Sequence, residues 1–404
     1  MKKILLIYEA RATGHHLQHP AFLAQEYLQS DYSFALHLLV PKIFQERYQS
    51  YFNVDIEKQT NVTVEYLNDL WIQKMLGEKN PIRRANIEMQ RVSETLKKEN
   101  ITHLYLDFFN RYFFSLKQLS PLNVKISGIY YAPYPRIKRT QGVRTSIKYV
   151  LNRVRKWMQL YLVTQNRNLQ RLFVLNDPWS ANYLNKQLPR LLFKPLPDPI
   201  WQLRESTQLS EFDIRKHYKI PDEKKIFLIF GAISAVKGCL EVLAGLKKLN
   251  TIEHSSITLL IAGKLERKFC STLKKALEET QFLCPDLQIC CDNRFFDATE
   301  MCACFHQCDA VLNINTLTQS SSGIMGHSAV WGKPAITSST GLYGDLAREY
   351  RLGPLANPLL PHEVAEGFRK IIFDYKNSFN MEDLKRYCNE RKWDYFARTI
   401  LEEV

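Results

Sequence analysis

Short apolar runs alternate with stretches of helical periodicity along most of this chain. That alternation restricts the fold more than any bulk property does. Strands separated by helices form parallel sheets covered on both faces, an α/β architecture. The first series of candidate strands is Ile4 to Tyr8, Phe34 to Val40, Val62 to Tyr66, His103 to Leu106, Lys125 to Tyr131, Arg171 to Leu175 and Leu191 to Pro195. A second series comprises Lys225 to Phe230, Thr258 to Ala262, Leu287 to Cys290, Ala310 to Ile314 and Pro334 to Thr337. Between them, FKPLPDPIWQLRES carries Pro195, Pro197 and Pro199, which disfavour regular structure and mark a hinge. At 404 residues the chain exceeds what one hydrophobic core usually covers. We therefore expect two Rossmann-like domains, 1–197 and 198–385, with 386–404 as a C-terminal helix packing back onto the first. The helix is predicted from RKWDYFARTILEEV, where Trp393, Phe396 and Ile400 share one face.

The apolar run of MKKILLIYEA stops at Glu9, too early for a signal peptide, and reads as the first strand. No window approaches the roughly 18 to 20 apolar residues of a spanning helix. Seven of the nine cysteines fall between Cys270 and Cys308, an unpaired set that suits reduced thiols. In TEMCACFHQC a helix would turn Cys302, Cys304, His306 and Cys308 in different directions, so no metal site is expected. Charge is more telling. Residues 1–200 hold 29 basic and 15 acidic side chains, whereas the rest is balanced, so the whole net charge of +14 lies in the first half. No acidic residue occurs between Asp107 and Asp177. Such a one-sided field attracts an anionic partner. No nucleic-acid reading motif accompanies it, so DNA or RNA is not the expected partner.

Open parallel sheets bind ligands beyond the carboxyl ends of their strands. After Ile4 to Tyr8, EARATGHHLQHP offers Gly14 for a tight turn, with His15 and His16 at the mouth of a helix. The histidines either are solvated or position an acceptor and move a proton. After Lys225 to Phe230 come Gly231 and, six residues on, Lys237-Gly238 before a helix. A helix N-terminus with a lysine beside it suits a phosphate. The loop is neither G-x-G-x-x-G nor a P-loop, which argues against dinucleotide binding and P-loop hydrolysis. After Ala310 to Ile314, Gln319-Ser320-Ser321-Ser322-Gly323 precedes a helix from Ile324 to Trp331. These hydroxyls and free N–H groups form either an uncharged anion cradle or a serine cap and nothing more.

The order of these parts resembles the GT-B glycosyltransferases of glycosyltransferase family 4. The parts are the Gly-containing first loop, the Leu-Pro-Asp-Pro hinge, the G-x5-K-G loop, Ile261-Ala-Gly263, Cys291-Asp292 and Gly332-Lys333-Pro334. The resemblance spans nearly the whole chain and is strongest from Lys225 to Gly353. It implies two Rossmann-like domains facing a central cleft, a nucleotide-sugar donor on the second, an acceptor on the first, and retention of anomeric configuration. It implies no cofactor and no metal ion. The family's diphosphate-binding lysine falls on Lys237, but its arginine falls on Ala232 and its two glutamates on Gln319 and His327. Gln319 and His327 could hydrogen-bond the sugar and the ribose without a fixed negative charge. The Ser320 to Gly323 cradle would stand in for the arginine at the phosphates, with Ile324 counted among the donor-binding residues. Arg294, in the loop that resembles the family's base-recognition loop, either approaches base or phosphate or is a surface arginine.

In TSIKYVLNRVRKWMQLYL, Ile147, Val150, Leu151, Val154, Trp157, Met158, Tyr161 and Leu162 lie at helical spacing, with Lys148, Arg153, Arg155 and Lys156 largely elsewhere. This is either a core helix with a solvated basic face or a surface helix meeting anionic lipid headgroups. Tyr134, Arg136 and Lys138, with Gly14, are predicted to bind an anionic acceptor. The expected function is a nucleotide-sugar-dependent glycosyltransferase making polysaccharide, glycolipid or another glycoconjugate, cytoplasmic and at the inner membrane face. The alternative is a GT-B module that binds or scaffolds without transfer.

Overall fold

The computed structural model describes residues 3–12, 14–119, 122–136, 143–200, 212–319 and 322–404, with side chains of 14, 15 and 143–148 excepted. The chain divides into two compact units, Met1–Pro199 with Trp393–Val404, and Ile200–Lys392.

The first unit is built on seven parallel strands: β1 (Ile4–Tyr8), β2 (Ala35–Pro41), β3 (Val62–Leu67), β4 (His103–Leu106), β5 (Lys125–Ile129), β6 (Leu169–Leu175) and β7 (Phe193–Leu196). Their order is β3-β2-β1-β4-β5-β6-β7. β1 sits centrally, its Ile7 paired with Leu38 on one side and Tyr105 on the other, and fully buried. Burial on both faces is why these strands read as continuous apolar runs rather than alternating ones. The helix Pro81–Lys98 shows how the sequence writes a covering element. Asn80 accepts from the N–H groups of Ile82 and Arg83, Pro81 starts the first turn, and Ala85, Met89, Val92 and Leu96 form the buried face. At the other end of the chain, Trp393–Leu401 packs on Gln18–Gln29, with Phe396 fully buried and 4.7 Å from the His19 ring.

The second unit carries β8 (Lys225–Phe230), β9 (Ile257–Ala262), β10 (Gln288–Asp292), β11 (Ala310–Asn313), β12 (Ala335–Ser338) and β13 (Leu355–Ala356), in the order β10-β9-β8-β11-β12-β13 and again parallel. β13 escapes sequence reading because two residues cannot make a recognisable run. Ala298–Gln307, the cysteine-rich helix, starts with a capping box of Asp297 and Glu300. Cys302, Cys304 and Cys308 are buried in apolar surroundings that push their thiols up.

The helix Val143–Thr164 is not a core helix: Val150 is 54%, Leu151 64% and Leu162 64% exposed, while Leu160 and Val163 hold it to the sheet. No helix among the described residues is long and apolar enough to cross a membrane.

Candidate functional site

In each unit the strand order reverses direction beside the first strand, between β1 and β4 and between β8 and β11. Loops leaving those strand ends therefore part and open a ligand crevice.

In the second unit the loop after β8 is pinned by backbone. Ile233 N–H donates to Lys264 O at 2.9 Å and Thr316 N–H to Val236 O at 3.0 Å. Gly238 adopts φ +72°, and a Cβ there would fall 1.7 Å from Ile314 O, so only glycine lets this loop lie on the backbone leaving β11. The tight fit gathers three predicted residues. A Cβ built on Gly231 would sit 3.8 Å from Lys237 Nζ and 3.9 Å from the Ile324 side chain. Burial lowers the Lys237 ammonium pKa, and no carboxylate among the described residues offsets it. Beyond β11, the helix Gly323–Val330 begins after Ser322. Ser322 does not cap it. Its hydroxyl donates instead to Asn313 Oδ1 at 3.2 Å, an oxygen that also accepts from Asn315 Nδ2 at 3.1 Å. The N–H groups of Gly323 and Ile324 consequently have no partner among the described residues. Asn313 Nδ2 and Thr318 Oγ1 are also buried and unpartnered there.

Gln319 is half-buried, and His327 lies one turn into the helix with its ring 5.2 Å from Phe305. Ser320 and Ser321 lie outside the described residues. Arg294 stands apart: it pairs with Asp292 at 2.9 Å and Glu300 at 2.8 Å and covers the Phe296 ring at 4.0 Å. Its charge is committed to holding its own loop, as a structural arginine would be.

In the first unit the crevice holds a charged network that sequence reasoning largely missed. Glu9, 2% exposed, accepts from the Arg11 N–H at 2.8 Å and lies 2.9 Å from His16 Nδ1. Arg111 Nη2 reaches His16 Nε2 at 3.3 Å, which places the imidazole proton on Nδ1. The His16 ring stacks 4.2 Å from Phe108, which stacks 4.5 Å from Tyr131 and lies under the Arg111 guanidinium. Deeper, His19 Nδ1 is 2.8 Å from Asp107. Burial pulls the His19 pKa down, but the Asp107 charge and hydrogen bond outweigh it and the net shift is upward. Glu88 accepts from the Tyr8 and Tyr112 hydroxyls at 3.1 and 2.7 Å and from Arg11 at 3.2 Å. Asp107 Oδ2, Arg11 Nη1 and Arg111 Nη1 are buried without a partner among the described residues. Such polar atoms are costly unless a ligand or water meets them.

The other predicted acceptor residues are not gathered there. Tyr134 is 3% exposed and packs in the core, where burial pushes its hydroxyl up to about 12. Arg136 donates to both oxygens of buried Asp177, at 2.8 and 2.7 Å, and lies over Trp179. Lys138 lies outside the described residues, as does the side chain of His15; Gly14 opens the turn Gly14–Leu17. One signal was available in sequence: Asp107 and Glu9 are acidic residues that directly end apolar strands.

No family model matches the sequence, and no curated protein does. Solved structures match end to end. A UDP-forming α,α-trehalose-phosphate synthase from Burkholderia xenovorans, with glucose-6-phosphate, aligns at TM-score 0.69 and 10% identity over 99% of both chains. HepE from Anabaena, in complex with UDP and glucose, aligns at 0.66 and 13% over 100% of this chain and 99% of its own. The fold is GT-B. WaaG, a glycosyltransferase involved in lipopolysaccharide biosynthesis, aligns at 0.63 and 13% over 99% and 98%. In GT-B terms, Gly231, Lys237, Ser322, Gly323 and Ile324 sit in the crevice of the second Rossmann-like unit, and His16 in that of the first.

Proposed function

We propose that this GT-B chain transfers a sugar from a nucleotide-sugar donor to a glycan, glycolipid or other glycoconjugate acceptor. Lys237 carries the reading: a partly desolvated ammonium with no carboxylate partner among the described residues, beside a helix start whose Gly323 and Ile324 N–H groups have no partner among them either. That is the electrostatic complement of a diphosphate. The UDP complex of HepE and the UDP-forming synthase support a nucleotide-sugar as donor. Lys237 and these N–H groups neutralise the charge developing on the leaving diphosphate, so the reaction is proposed to need no metal ion. In the retaining mode the leaving diphosphate itself helps deprotonate the acceptor. The carboxylate-held imidazoles of His16 and His19 favour a second mode, in which one of them takes the acceptor proton and the configuration inverts. The anomeric configuration of the product, read by NMR, separates the two.

The acceptor is proposed to bind at the Glu9, His16, Phe108 and Arg111 cluster and to carry an anionic group for Arg111. The chain works at the cytoplasmic face of a membrane, held by the helix Val143–Thr164. Its exposed apolar stripe and the exposed Arg155, with half-buried Lys156 beside it, suit insertion among anionic headgroups, whereas Arg153 is turned to Pro135 O at 3.2 Å. WaaG, acting in lipopolysaccharide synthesis, supports a lipid-linked acceptor.

The test is thermal unfolding with UDP-, GDP-, dTDP-, ADP- and CMP-linked sugars. A donor at about 100 times its dissociation constant stabilises by about 2.7 kcal/mol. One nucleotide should raise the midpoint for wild type and not for Lys237→Ala. No shift with any nucleotide would favour a GT-B module that binds or scaffolds without transfer.

A further inference from the structure

We propose that the groove between Phe113–Lys117 and the end of the helix Val143–Thr164 binds the phosphate of one anionic glycerophospholipid. The assignment rests on the membrane reading above and names the lipid chemistry that this unit recognises. The groove encloses about 550 Å³. Lys117 and Arg167 supply charge to it, Phe114 and Leu162 supply apolar surface, and Asn166 and Gln165 supply amide donors. Both cations are exposed, and neither has a carboxylate partner among the described residues. The chain has no acidic residue from 108 to 176, so nothing in the local sequence repels a phosphate.

Both walls are fixed in advance. Arg190 spends its guanidinium on three carbonyls of the turn that ends the helix, Thr164 O at 3.3 Å, Asn166 O at 2.8 Å and Leu169 O at 2.6 Å. Asn168 ties the same turn to Leu122 O at 2.7 Å. On the opposite wall, Ser115 and Gln118 both donate to Asn86 Oδ1, at 2.8 and 2.9 Å. A groove held open this way binds without ordering its walls. Its apolar side is continuous with the exposed stripe, because Leu162 belongs to both and Leu151, Val154, Met158 and Leu162 follow one another along one helix face. A phosphate at Lys117 and Arg167 therefore has its acyl chains directed along surface that is already apolar. A free inorganic anion would use the cations and leave that surface bare.

The experiment is calorimetric titration of the full chain with monomeric dihexanoyl phosphatidylglycerol. One lipid per chain is expected. Lys117→Gln/Arg167→Gln should weaken it about thirtyfold, the change that two basic contacts carry. Lys117→Arg/Arg167→Lys should restore it, and Lys97→Gln/Lys98→Gln, an equal loss of charge elsewhere, should not alter it. Equal binding of inorganic phosphate or of dihexanoyl phosphatidylcholine overturns the assignment, as does an unaffected groove variant. Co-sedimentation with vesicles of phosphatidylcholine and phosphatidylglycerol in equal parts separates the two levels. If wild type stays in solution, the membrane reading fails and the groove assignment with it. If wild type pellets, Leu151→Ser/Met158→Ser does not, and monomeric lipid shows no groove-dependent binding, the membrane reading stands and the groove assignment alone is wrong.

Discussion

In the loop after β8 a lysine is partly withdrawn from water with no carboxylate partner among the described residues, and in the loop after β11 a serine hydroxyl turns away from the helix it precedes. The Ser322 bond to Asn313 leaves the first N–H groups of its helix open, so the cradle is best tested through ligand affinity. Ser322→Ala removes a hydrogen bond worth about 1 kcal/mol and should weaken nucleotide binding roughly fivefold. Unchanged affinity in a titration would refute the cradle. In the first unit, the charge and hydrogen bond of Asp107 outweigh burial and raise the folded pKa of His19 above the ordinary 6.5. Its contribution is complete below that value and is lost as pH rises through the folded pKa. The difference in unfolding free energy between wild type and His19→Gln should therefore shrink as pH rises through that range. His103 behaves oppositely. Burial, then Lys125 and Lys3, lower it to about 4, so its contribution is present above 6.5 and lost as pH falls towards 4. Lys237 was legible because a lysine before a helix start is a local pattern. Glu88 and its two tyrosine donors were not, since they lie 80 and 24 residues apart in sequence.

Among the elements, the helix Val143–Thr164 departs most from ordinary burial. Its periodicity predicts one apolar face and cannot tell whether protein or lipid covers it. Because Leu151 and Met158 are exposed, Leu151→Ser/Met158→Ser should change stability by less than about 0.5 kcal/mol in urea unfolding while abolishing vesicle binding. The helix Pro81–Lys98 supplies the contrast. Met89 is fully buried, and Met89→Ala should cost about 2 to 5 kcal/mol by the same measurement. A small effect there would mean that the apolar face of this helix is not packed as described.

For the whole molecule, chain termini meet within the first unit: Lys3 Nζ donates to Val404 O at 2.8 Å, and Phe396 is buried against Gln18–Gln29. Phe396→Ala should cost about 3 to 5 kcal/mol, seen as a lower calorimetric midpoint, although it stands eight residues before Val404. An unchanged midpoint would show that this helix does not complete the core. The sequence by itself determined the α/β class, the positions of the strands other than β13, the proline-rich stretch where the two units divide, and the glycine-containing loops after β8 and β11. Each of these is a local signal: apolar period, proline spacing, or a glycine and lysine before a helix. Only the tertiary structure decided that Arg294 and Arg136 are paired with carboxylates, that Tyr134 is core, that Ser322 serves Asn313, and that one basic helix keeps its apolar face in solvent. Pairing and burial depend on which distant strands and helices become neighbours, and no local pattern encodes that.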